Sequence, residues 1–189
     1  MAAVAAGLAY STVGLEGVNL TVTQTSIPDN NATLSSLSQT AGFEYPGPSF
    51  SLGQVARGVD NSEYVFVKAA AATAIGLVCY LDTSWNATLI TTANAAAISG
   101  ALIATASQVA FASGDYGWMQ TKGLNPGINV ATSTTANAQL YTSTVAGQLT
   151  STVGANVALN GVILTTAQGA GGAGNAPGVL SYPEVLLTT

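Results

Sequence analysis

The chain has 189 residues, with three basic and eight acidic side chains, no histidine and a formal net charge of -5. Charged residues make up 6% of it, against roughly 25% in an average soluble domain. Three basic groups cannot neutralise the phosphates of a nucleic-acid groove or an anionic membrane surface, so neither is expected as a partner.

Residues 1–7 lack a positively charged stretch ahead of their apolar run, so no secretory signal is expected. The sequons at Asn19, Asn31 and Asn86 therefore carry little weight. Val18, Leu20 and Val22 alternate with Asn19, Thr21 and Thr23, the pattern of a one-sided strand. Residues 27–36 read as loop, and Phe43, Tyr45 and Phe50 close the segment around Pro46 and Pro48. We read 1–50 as an extended N-terminal arm and 51–189 as a β-rich body. Ordering about 40 arm residues at roughly 1–2 kcal/mol each costs on the order of 40–80 kcal/mol. Offsetting that at about 25 cal/mol per Å² takes roughly 1,600–3,200 Å² of buried apolar surface, more than the arm can supply to itself.

From Leu52 the chain reads as successive short strands. Segments 53–59 and 64–68 flank the turn Asp60-Asn61-Ser62-Glu63, and 78–81 and 88–92 flank Asp82-Thr83-Ser84-Trp85-Asn86. Segments 102–111 and 116–121 flank 112–115, and 140–142 and 148–150 surround Val145-Ala146-Gly147. A strand over 157–165 leads into a glycine tract at 168–178, expected to be a flexible loop, and 183–187 reads as a closing strand. The alanine-rich stretches 69–74 and 93–100 suggest one or two short helices. The window 93–114 is interrupted by Asn94, Ser99, Thr105, Ser107 and Gln108, so it is not expected to span a bilayer. Segments 80–89 and 141–149 share a pattern, a tyrosine before a polar turn and a leucine after it. The expected fold is mainly β: a small antiparallel β-barrel or sandwich with an extended N-terminal arm.

The residues offer little chemistry. The lone Cys79 lies in an apolar run and reads as a buried thiol. Without histidine it lacks an activating partner. Lys68 and Lys122 read as solvent-facing residues at strand ends, and the spacing of Asp60 and Glu63 is explained by turn chemistry. Neither 60–63 nor 29–31 has the spacing of a twelve-residue calcium loop. The tract Gly169-Ala170-Gly171-Gly172-Ala173-Gly174 lacks the Lys-Ser/Thr of a phosphate loop. No catalytic set, metal site or cofactor is expected. Trp85 and Trp118 read as core or interface residues in the first place and as sugar-stacking residues in the second.

Residues 52–68 (LGQVARGVDNSEYVFVK) and 108–118 (QVAFASGDYGW) resemble the opening and the central hairpin of tailed-phage head decoration, or cement, proteins. The later order of Gly123, Leu140-Tyr141, Gly147 and Gly161-Val162 is similar to the style of those small barrels, so the resemblance covers about two-thirds of the chain. It implies a non-enzymatic structural protein on the outer surface of the virion. Its partners would be the major capsid protein and copies of itself, often as trimers. Val18, Leu20, Val22, Phe43, Tyr45 and Phe50 are the expected arm anchors on a shell or neighbouring subunit, by strand addition to an exposed edge. A tail or fibre component, or an adhesion module stacking sugar on Trp85, Trp118 and Tyr116, are the rival expectations.

Overall fold

The computed structural model describes residues 50–58 and 60–186. Strands account for 47% of the structure and helix for 3%, so the fold is mainly β. In chain order the elements are β1 (Val55–Arg57), β2 (Glu63–Ala69), β3 (Val78–Leu81), β4 (Asn86–Leu89), α1 (Thr92–Ala95) and β5 (Ile103–Thr105). They continue with β6 (Tyr116–Val130), β7 (Leu140–Thr142), β8 (Leu149–Thr150), β9 (Ala158–Leu164) and β10 (Gly174–Val185).

The pairings close two rings of five strands that share β6. The first runs β2–β4–β3–β5–β6 and returns to β2. The second runs β6–β8–β7–β9–β10 and returns to β6. Each ring contains one parallel contact, β2 with β4 and β6 with β8. The barrel is therefore not purely antiparallel as expected, because in each ring the third strand comes back alongside the first. The 15-residue β6 is long enough to serve both rings. Its first half pairs with β2 and its second half with β10.

Alternation of side chains fills each ring with its own core. Val65, Val67, Cys79, Leu81, Ala104 and Met119 fill the first. Ile128, Val130, Leu140, Leu149, Leu159, Val162, Leu164 and Leu180 dominate the second. A third cluster lies on the opposite face of β2 and β6, where Tyr64, Phe66 and Trp118 are covered by Phe50, Leu52 and Tyr116. Both faces of this part of the sheet are thus apolar, which is why β2 is buried throughout except at the half-buried Lys68.

The repeat seen between 80–89 and 141–149 is structural. Both segments are hairpins, β3–β4 and β7–β8, and both place a tyrosine opposite a threonine, Tyr80 with Thr88 and Tyr141 with Thr150. Two residues after each tyrosine a side-chain oxygen opens the turn. Asp82 Oδ1 accepts from the Ser84 amide at 2.8 Å, and Ser143 Oγ accepts from the Val145 amide at 2.9 Å.

Other expectations need correction. Segment 69–74 is not helical: Ala69 ends β2, and Thr73 bridges Phe111. The helix in 93–100 shrinks to the single turn α1, held by a capping box between Thr91 and Asn94. The strand over 102–111 is only β5, which pairs chiefly with β3 and meets β6 at Thr105. The glycine tract is a turn only to Ala173; from Gly174 it is strand β10, zipped to β6 from Gly174 onward.

Candidate functional site

Two adjoining features stand out on the surface where β6 and β10 meet. The first is built on Glu63, the opening residue of β2, which is 4% exposed. A buried carboxylate needs several donors to stay ionised. Glu63 accepts from Tyr182 Oη at 2.5 Å, from Lys122 Nζ at 3.4 Å, and pairs with Arg57 Nε at 3.1 Å. Strand register delivers these groups: Arg57 and Lys122 lie opposite Glu63 on β1 and β6. Tyr182 lies within the register irregularity between Leu180 and Glu184 of β10 and has a φ of 47°. Such an irregularity re-aims a side chain, and here the ring lies 5.3 Å from Lys122 Nζ. The Tyr182 hydrogen bond is the main cause holding the Glu63 pKa below its ordinary value; burial opposes it, and Lys122 and Arg57 assist. Tyr182 first, and Glu63 after it, raise the Lys122 pKa against partial desolvation. A carboxylate held ionised by three donors ties four strands together and is poorly placed to accept a proton from a substrate.

The second feature is apolar. Leu124 on β6 pairs with Val179 on β10, which pairs with Ile163 on β9. Residues opposite one another share a face, and this row points outward: Leu124 is 69% exposed, Ile163 49% and Val179 37%. The rows on either side point inward, with Val162, Leu180, Asn125 and Leu164 all buried. Beyond them Pro126, Pro177 and Thr165 are again exposed. Leu124, Pro126, Pro177 and Thr165 border a shallow depression of about 300 Å³ that reaches Asp60 and Tyr64.

Of the six expected contact residues, Val18, Leu20, Val22, Phe43 and Tyr45 lie outside the described residues. Phe50 is half-buried against its own chain, with ring centroids 5.4 Å from Phe66 and 5.2 Å from Trp118. Cys79 is enclosed in the first barrel, where burial pushes its thiol pKa up to about 12. Lys68 and Lys122 are not plain solvent-facing lysines: Lys68 Nζ sits 5.6 Å from the Tyr116 ring centroid, and Lys122 belongs to the Glu63 cluster. Asp60 and Glu63 diverge, since Asp60 accepts from the Ser62 amide and hydroxyl while Glu63 turns to its cluster. Among the described residues no three His, Cys, Asp or Glu side chains converge as a metal site. No helix among them is long and apolar enough to cross a membrane. Trp118 is 1% exposed and presents no face to a sugar, while Trp85 lies half-buried beside the first core.

Sequence reasoning missed both the Glu63 cluster and the apolar row. The row did carry a signal. In Val162-Ile163-Leu164 and Val179-Leu180 consecutive aliphatics occupy one strand, so period 2 forces one of them outward. The cluster carried none, because Tyr182 is 119 residues from Glu63. Compared with known proteins, the chain matches no family model, no curated protein and no solved structure.

Proposed function

We propose that this is a non-enzymatic structural protein of a tailed-phage virion, binding the outside of the capsid and stabilising it together with copies of itself. The observation that carries the reading is the root of the arm. Phe50 packs on the aromatic face of β2 and β6, and 49 residues precede it in the sequence. An arm with Val18, Leu20, Val22, Phe43 and Tyr45 needs apolar surface beyond its own to become ordered, and a shell of repeated subunits offers it. A body surface built mainly from hydroxyls, amides and small side chains is covered with little charge desolvation. The resemblance of 52–68 and 108–118 to head decoration proteins supplies the kind of shell.

Removing residues 1–49, with Phe50 retained, tests the reading. The truncated protein is expected to keep its β spectrum and its melting temperature while losing retention on capsids in co-sedimentation. Retention equal to that of the full chain refutes the role of the arm.

A further inference from the structure

We propose that β1 is the seat of the arm's own strand: in the absence of a shell, residues 18–23 of the same chain pair along its outer edge. The proposal concerns the arm before it meets a partner, so it goes beyond the shell reading and does not depend on it.

β1 is the terminal strand of the sheet, with β2 as its neighbour. Along β2, β6 takes one side over Glu63–Lys68, and β1 and β4 share the other. Since β4 closes the first ring, β1 stands outside both rings. An edge strand offers a row of backbone donors and acceptors, and native proteins cover such rows. A strand added alongside is the occupant that satisfies them. Every other strand expected from the sequence falls on an element of the body, and 18–23 is the one that lies outside the described residues.

The two strands also match in sidedness. In β1, Ala56 is buried on the side of Tyr64, Phe66 and Trp118, whereas Val55 and Arg57 are exposed on the other side. Residues opposite one another share a face. The register that sets Val18, Leu20 and Val22 on the Ala56 side therefore extends the aromatic cluster, and it leaves Asn19, Thr21 and Thr23 in water. A slip of one residue would reverse both. The connection decides whose strand it is. Residues 24–49 join Thr23 to Phe50, which packs on the same cluster. Fully extended they would reach roughly 90 Å, so length does not limit the return. A tether of this kind holds its strand at an effective concentration on the order of a millimolar. A second copy in micromolar protein competes poorly with that.

The test is hydrogen–deuterium exchange on the purified full chain, without capsids, at micromolar and at tens of micromolar concentration. The wild type is expected to protect peptides over 18–23 and over 55–57, equally at both concentrations. Leu20→Asp and, separately, Val22→Asp are expected to speed exchange roughly ten-fold or more at 18–23 and several-fold at β1. Exchange at β3 and β9 should stay unchanged in both, because β1 lies outside the rings and its edge opens without melting the body. Ser35→Asp, in the arm but beyond the strand, is expected to change neither peptide. Exchange of 18–23 at the rate of unstructured chain in the wild type overturns the proposal. So does exchange at β1 that neither Asp variant moves. Protection that rises with concentration assigns the edge to a neighbouring copy's strand and overturns it too. None of these outcomes decides the shell reading, which capsid co-sedimentation tests separately.

Discussion

Glu63 engages Tyr182, Lys122 and Arg57, and its effect on stability has a definite sign. Its pKa is lowered in the folded protein, so the stabilisation is fully present above the ordinary value of 4.5 and is lost as pH falls below it. Tyr182→Phe removes the main donor. It is expected to cost about 1–2 kcal/mol at neutral pH and to flatten the loss of stability below pH 4.5, measured by urea unfolding across pH. An unchanged pH profile would show that Tyr182 does not govern this carboxylate. Gly123 acts through the backbone. It has a φ of 100°, and an added Cβ would lie 2.8 Å from Ser62 Cα, where β6 passes from one barrel to the next. Gly123→Ala is expected to destabilise by about 1–3 kcal/mol, visible as a lowered denaturation midpoint with the slope retained.

At the scale of elements, the two equivalent hairpins differ in how firmly their turns are fixed. Asp82 accepts from the Ser84 amide, the Asn86 amide and Asn86 Nδ2, each at 2.8 Å, whereas among the described residues Ser143 Oγ accepts from the Val145 amide alone. Asp82→Ala is therefore expected to cost about 1–2 kcal/mol and Ser143→Ala about half as much. Equal losses in thermal melts would contradict this ranking. The first, second, third, seventh, eighth and ninth strands were legible because turn residues bracket short runs of β-formers, as at 60–63 and 145–147. What sequence could not give was the partner of each strand. The parallel contact of Val130 with Leu149, 19 positions apart, depends on the chain running out through β7 and back, which local pattern does not encode. The second half of the glycine tract misled for a related reason. Gly174 and Gly178 have poor strand propensity, yet β10 is held on both sides by β6 and β9. Similarly, the alanines at 69–74 favour a helix in isolation, but Ala69 is already committed to the ladder of β2.

For the whole molecule, the shared β6 joins the two barrels, its first half closing one ring and its second half the other. Around that body lie the aromatic seat of Phe50, the neutralised Glu63 cluster and the outward apolar row. On the proposed function, these features would be covered by neighbours, with many copies presenting the same faces to the same lattice of sites. The most direct test is the copy number of this chain in purified particles from its source, by quantitative mass spectrometry against the major shell protein. A fixed, simple ratio to that protein, in the hundreds per particle, is the result predicted for a capsid decoration protein. A handful of copies would instead indicate a tail or fibre component, and absence from the particles would contradict the virion reading altogether.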